Sequence, residues 1–434
     1  MILAVDLGST SFKAGVFDAG LRCIGQGAER LTHRFDSGGK VEFEVDEAVV
    51  CFQKAVAAAL NAAGISASEI SAIGFTSQAQ TFTILDPAGR ALLPFISWQD
   101  MRAGAACDAL KADARLWEFG NHSSFGELLT ALQFVQLRHI RDTNPGKLAE
   151  SNRVMHLPSY LVWRLTGAHV VDENLAAMSG LYSLPQHAWW PVALELAGVK
   201  ADQFSTVVPT GGVAGTTGDT AKLLGFPAGI PVVLAGNDQT AGAFAAGVHD
   251  DNALLITLGT AQVAYAVDRS VARPSPSRVR GPYPGGRFYR MGADSCGGSV
   301  VNWAETVLVG CDTDAGFFAA AAKSPPGCRG LVFDADVPAG QGSWRHLGLH
   351  HQAGDMARAV VESLCRRMVA LVHDLDLPAT PGRVLVAGGG RLAPVWRESL
   401  GAALGLRIAV TDATPLAGAA ALANQAVHSK RDRR

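Results

Sequence analysis

The chain has 434 residues, 48 % of them apolar and 18 % charged, with a net charge of −2. That length is too great for one ordinary core and predicts two domains of about 200 residues each. So small a charge gives no positive field to draw nucleic acid or an acidic membrane surface, and neither is expected as a partner.

In chain order, MILAV meets Asp6 at once and has no basic lead, so it reads as a strand rather than a signal peptide. Residues 2–18 read ILAVDLGSTSFKAGVFD: an aliphatic run, a glycine with small hydroxyl residues, and a second apolar run closed by aspartate. This is the pattern of a β-hairpin whose Gly-Ser/Thr corner presents backbone N–H groups to an anion. Asp6 ends the first run just before the glycine turn, with Leu7 between it and Gly8, where a carboxylate suits a magnesium ion held beside phosphate. An Asx-turn is the plainer alternative. Lys13 could reach back to a phosphate across the hairpin, or serve only as a solvated charge.

Residues 46–63 have helical spacing and stop at Gly64. Residues 71–77 and 81–86 look like strands that meet at Gln78, Ala79 and Gln80. From 91 to about 209, mostly helical patterns richer in Trp and His form an insertion on the first domain. Gln78, Gln80, Trp98, Gln99, Asp100 and Arg102 form a polar set there. Neutral amides and a carboxylate facing a cleft match a polyhydroxylated ligand, with surface loops as the alternative.

Residues 231–235 (PVVLA) predict a buried strand that breaks at Gly236, Asn237 and Asp238 into a helix over 239–247. Asp238, hemmed by small residues in AGNDQTAGA, can accept a proton from a substrate hydroxyl as that oxygen attacks a γ-phosphate. An N-cap aspartate, serving only the helix N–H groups, stands open beside that reading.

A boundary is expected near residues 245–251, after which the opening device returns. Residues 253–268 read ALLITLGTAQVAYAVD, with Gly259 and Thr260 as a second anion corner. There follow a helix over 297–309, a strand at 383–387, a glycine loop at 388–390 and a helix from near Leu392. A last helix begins after Pro415. The N–H groups of the 388–390 loop could approach a nucleotide. No GxxxxGK[ST] is present, which excludes a P-loop enzyme. Two like hairpins predict duplicated domains gripping one polyphosphate, with the active site between them.

The basic tail 428–434 reads as a solvated terminus. Cysteines at 23, 51, 107, 296, 311, 328 and 365 form no CxxC pair. Their odd count predicts reduced thiols in a cytoplasmic protein, not a zinc site or disulfide framework. No apolar run reaches the length of a membrane span.

With these segments in order, the chain resembles the FGGY family of carbohydrate kinases, a branch of the sugar kinase/actin/Hsp70 ATPase superfamily. The likeness is carried by DLGSTSFK at 6–13, AIGFTSQAQTFTILDPAGRALLPFISWQDMRA at 72–103, and HLPSYLVWRLTG at 156–167 with Asp172 beyond it. It continues through PVVLAGNDQTAGAFAAGV at 231–248, ITLGTAQV at 256–263, AGGGRLAPVWRESLGAALGLRI at 387–408 and TPLAGAAALA at 414–423.

The resemblance implies an α/β fold of two duplicated ribonuclease H-like (actin-like ATPase) domains around an interdomain cleft. Residues 1–245 would bind sugar and 246–434 nucleotide. It implies Asp238 as catalytic base and Asp6 as the Mg2+-associated carboxylate, with ATP as phosphoryl donor. Ser9, Thr10, Lys13, Gly259 and Thr260 fall where the family holds ATP phosphates. Gly388 and Gly389 fall in the nucleotide loop, and Asn302 on the helix bordering the adenine pocket. Gln78, Ala79, Gln80, Trp98, Gln99, Asp100, Asp238 and Gln239 fall on the sugar side.

Glycerol kinases carry Arg-Glu where this chain has Ala79 and Gln80, and xylulose kinases usually carry Met-His. Asp238-Gln239 is nearer the glycerol kinases, while GRALLPFISWQDMRA is nearer the pentulose and hexonate kinases. The expectation is a xylulose-kinase-like enzyme for a ketopentose, then another ketose, a tetritol or a sugar acid. A sugar- and nucleotide-binding protein without phosphotransfer, and an actin- or Hsp70-like ATPase, are the readings from other classes. A homodimer is compatible with the sequence.

Overall fold

The computed structural model describes residues 1–309, 313–336 and 341–431, so Cys311 and the last three residues of the tail lie outside it. The opening hairpin is built from β1 (Ile2–Leu7) and β2 (Ser11–Phe17), with Asp6 opposite Lys13 and Leu7 opposite Phe12. The chain continues through β3 (Cys23–Arg30), α1 (Val45–Ala63) and β4 (Ala72–Ser77), which lies parallel to β1. After the insertion come β5 (Val213–Thr216) and β6 (Pro231–Asn237), the latter parallel to β4. These strands form one sheet in the order β5-β6-β4-β1-β2-β3.

The second half repeats the plan after α2 (Asp238–Ala245). Its strands are β7 (Ala253–Leu258), β8 (Gln262–Asp268), β9 (Val279–Tyr283), β10 (Arg287–Asp294), β11 (Arg383–Ala387) and β12 (Ile408–Val410). They are ordered β9-β10-β8-β7-β11-β12. In each sheet the hairpin is antiparallel and the next two strands lie parallel to its first strand. The expected duplication of an actin-like ATPase domain is therefore present.

Both strands of each hairpin are apolar because both faces of each sheet are covered. Side chains alternate along β1, so Leu3, Val5 and Leu7 join one core with Phe52 of α1, while Ile2 and Ala4 join another with Leu416 and Ala419. Those last residues belong to α6 (Pro415–Arg431), the final helix, which returns from the second half of the chain to the first sheet. Burial of Leu416 and Leu422 there is worth about 1.5–3 kcal/mol each. Glycine permits the contact: a Cβ on Gly74 would lie 2.3 Å from the Ala419 carbonyl oxygen. One on Gly418 would lie 1.8 Å from that of Ala241 in α2.

A further five-stranded sheet, Arg34–Phe35, Val41–Phe43, Phe95–Ile96, Phe82–Leu85 and Arg153–His156, joins three strands that precede the insertion to two within it. Three further helices belong to the second half: α3 (Gly298–Ala304), α4 (Ala353–Asp374) and α5 (Pro394–Leu404). The helix expected over 297–309 is α-helical only to Ala304 and then widens into a π-helix, Glu305–Val309. The helix expected from near Leu392 begins at Pro394, where the fixed φ of proline and its missing N–H fit a first turn. No described helix is long and apolar enough to cross a membrane. None of the six described cysteines is in a disulfide.

Candidate active site

Asp6 stands at the carboxyl end of β1 and Asp238 at the first turn of α2, and the charge of Asp238 acts on Asp6. Burial pushes the Asp6 carboxyl up to about 7; the negative charge of Asp238 adds to the rise and Lys13 opposes it. Asp6 Oδ1 is buried with no hydrogen-bond partner. Burial also raises the pKa of Asp238, against the Gln239 N–H, which donates to its Oδ1 at 2.8 Å. Lys13, exposed on β2, lowers both.

The N-cap of α2 is Asn237, not Asp238: its Oδ1 accepts from Thr240 N at 3.0 Å. Asp238 is thus released from the capping role that local sequence allowed it. Gly236, at φ +76°, makes the bend that brings the aspartate out of the strand.

Both hairpins turn in three residues, Gly8-Ser9-Thr10 and Gly259-Thr260-Ala261. In the second, two more glycine segments close on the turn. Gly298 N–H donates to Gly259 O at 2.8 Å, Ser299 N–H to Thr260 O at 3.1 Å, and a Cβ on Gly297 would sit 2.7 Å from Thr260 O. From the other side Gly388, at φ +84°, packs so that a Cβ would lie 2.4 Å from Leu258 O. Three turns therefore converge at the carboxyl end of β7, a backbone-lined place for phosphate. Gly297 and Gly298 were not among the residues expected here; a glycine pair opening a helix after a strand is the signal for them.

A Cβ on Gly389 would meet nothing within 4 Å. That residue opens onto a cavity of 500 Å³ lined also by Ala315, Phe318, Leu392, Pro394 and Val395, of a size and apolar character that suit a nucleotide base. Asn302 is exposed on α3 and outside that lining.

On the sugar side the structure departs from the expectation of free polar groups. Gln80, at φ +68°, donates through Nε2 to Met178 O and accepts through Oε1 from Gln133 N at 3.1 Å. Gln78 donates to Gly8 O at 3.1 Å and accepts from the Thr81 hydroxyl at 2.9 Å. Asp100 is fully buried, holding Val41 N at 2.8 Å and the Arg102 guanidinium, which also bonds Glu42. These groups brace the loops that frame the cleft, because a buried polar atom without a ligand must find a partner inside the protein. Trp98 is 43 % exposed, Gln99 is exposed, and Ala79, Asp238 and Gln239 are half-buried, so these five remain accessible from that set.

With this geometry in place, comparison with known proteins identifies the class. The model of the N-terminal domain of the FGGY family of carbohydrate kinases matches residues 1–245, and that of its C-terminal domain matches residues 254–427. The chain belongs to the FGGY family of carbohydrate kinases and is an ATP-dependent sugar kinase. It is 30 % identical to a glycerol kinase of Alkalilimnicola ehrlichii, over 98 % of this chain and 90 % of that protein. To a glycerol kinase of Brucella ovis it is 28 % identical, over 91 % and 83 %. The fold matches gluconate kinase from Lactobacillus acidophilus with a TM-score of 0.92 at 20 % identity, covering 99 % of this chain and 89 % of that one. It matches xylulose kinase from Rhodospirillum rubrum with a TM-score of 0.90 at 24 % identity and the same coverage.

Proposed function

We propose that this kinase moves the γ-phosphoryl group of ATP to a hydroxyl of a small neutral sugar, a ketopentose such as xylulose first, then another ketose or a tetritol. Residues 1–245 hold the sugar and 246–434 the nucleotide. The observation that carries this reading is Asp238 at the head of α2, freed from helix capping by Asn237, with its charge acting on the buried, unpartnered Asp6 carboxyl. The sugar hydroxyl gives its proton to the Asp238 carboxylate as its oxygen bonds to the γ-phosphorus. The bond from that phosphorus to the bridging oxygen breaks, and ADP leaves. A raised pKa suits the base, since a more basic carboxylate draws the proton more strongly.

Ser9, Thr10, Lys13, Gly259 and Thr260 hold the phosphates, and Gly388 and Gly389 flank the base. The residues present fit Mg2+. Asp6 offers a hard, unpartnered oxygen, and among the described residues no group of three or more His, Cys, Asp or Glu competes for a tighter metal site. Magnesium is commonly held by one or two carboxylates, with phosphates and water completing its shell. When bound, it neutralises charge on the β- and γ-phosphates.

The locked Arg102 supports a neutral sugar over a sugar acid: its guanidinium is committed to Asp100 and Glu42 and is not free to pair with a ligand carboxylate. A coupled ADP-release assay over ketopentoses, tetritols, glycerol and aldonates tests the reading. The highest kcat/KM is expected with a neutral ketose; a preference for an aldonate or for glycerol would overturn the substrate assignment.

A further inference from the structure

Behind the base lies a side chain that belongs to none of the expected sites. Asn174, on the short helix Glu173–Met178, is completely buried and its amide is fully used. Its Oδ1 accepts from Asn237 N at 3.0 Å, the residue just before Asp238. Its Nδ2 donates to the hydroxyl of Thr240, two residues after Asp238, at 3.0 Å, and to the carbonyl of Pro282 at 2.9 Å. Pro282 lies on β9, in the second domain.

The link to that domain is doubled, since Thr240 Oγ1 also bonds the hydroxyl of Tyr265 on β8 at 2.8 Å. Asn174 is itself held: its N–H reaches Asp172 Oδ1 at 3.1 Å and Thr210 Oγ1 at 3.2 Å. The approach is close enough that a Cβ on Gly236 would come within 3.2 Å of the Asn174 amide. One amide therefore holds the backbone before Asp238 and the Thr240 side chain after it, and fastens both to the sheet that carries the second glycine turn. Every donor it owns is spent, which is what makes such a group specify one geometry.

We infer that Asn174 is a positioning residue: it sets the direction of the Asp238 carboxylate and ties it to the nucleotide domain, so that base and phosphate are held in one register. The inference rests on the reading of Asp238 as the base. Misplacing a reacting group by about 1 Å is enough to cost about 100-fold in rate.

Asn174→Ala is expected to lower kcat by about 10–100-fold, with KM for sugar and for ATP each within about threefold of wild type. Placed in an Asp238→Asn background, it should produce no further loss, since a group with no base to aim has nothing left to do. Tyr265→Phe removes one hydroxyl from the same tie and should lower kcat by about 3–10-fold, again without moving KM. A role in stability alone would lower Tm and leave kcat of the folded enzyme within about twofold of wild type, which would overturn the inference. If Asn174→Ala does not fold, Tyr265→Phe decides the matter alone: an unchanged kcat overturns the inference, a lowered one upholds it. Asp238→Asn measured alongside separates the two readings. A dead Asp238→Asn beside a fully active Asn174→Ala sinks only the positioning role, whereas an active Asp238→Asn sinks the base itself.

Discussion

The two hairpins share a backbone and divide the chemistry. In the first, the cross-strand pair one step in from the turn is charged, with Asp6 opposite Lys13, and the charge of Asp238 acts on Asp6. In the second, the equivalent cross-strand pair is Thr257 and Val263, and no titratable group takes the place of either. What the second hairpin has instead is glycine on both flanks, so that three backbone segments close on one turn. The turn is duplicated, while the charged groups beside it are present in the first copy only. Each half can be broken separately.

The largest effect is expected at the charged half. Asp238→Asn keeps shape and loses basicity, and should lower kcat by about 10²–10⁴-fold with sugar and ATP affinity preserved. Steady-state kinetics and nucleotide titration check both parts.

At the neutral half, Gly388→Ala should raise KM for ATP by about 10-fold or more and lower stability by about 1–3 kcal/mol. The new Cβ meets the Leu258 carbonyl, and φ is +84°. Gly389→Ala has open space and should leave Tm unchanged while still hindering the nucleotide. Thermal melts of the two variants side by side separate strain from occlusion.

Asp6→Asn should reverse the usual sign of a site mutation. Because folding raises the Asp6 pKa to about 7, the native state binds more protons than the unfolded chain between about pH 4 and 7, and this group's contribution to stability falls across that window as pH rises. Asparagine removes the cost. The ligand-free variant is therefore expected to be more stable than wild type by about 1–3 kcal/mol at pH 8, and equal to it near pH 4, in denaturant titrations. The same change should raise the magnesium concentration needed for half-maximal turnover and depress turnover itself.

The smallest effect is expected at the braced loops. Gln80→Ala strands the Gln133 N–H and the Met178 carbonyl, and should cost about 1–3 kcal/mol in sugar kcat/KM together with a lower Tm. ATP affinity without sugar should stay unchanged.

Much of the frame was legible in the sequence, because aliphatic strands ending in Gly-Ser or Gly-Thr and a strand breaking at Gly236 have few other structural uses. The duplicated hairpins and the 388–390 loop follow from such runs, and α1 from helical spacing that stops at Gly64. What the sequence left hidden depends on contacts between distant segments. Nothing local distinguishes Asn237 from Asp238 as the cap of α2, since either side chain can accept from the same N–H groups. Gln80, Asp100 and Arg102 read as ligand groups because their partners, Met178, Gln133, Val41 and Glu42, lie tens of residues away or across a turn. The strand β3 was hidden by its glycines: Gly25 and Gly27 break the apolar pattern, yet they are what lets α1 lie against it, with Cβ positions only 2.4 Å from that helix's backbone.

The division of labour is tested most directly by calorimetric titration of ADP, without magnesium, into the Asp6→Asn/Asp238→Asn double variant. If the second copy holds the nucleotide by backbone and shape, ADP should bind within about threefold of the wild-type affinity while sugar phosphorylation is lost. Loss of magnesium-free ADP binding in a folded double variant would contradict the account, because the two carboxylates of the first copy would then be holding the nucleotide itself.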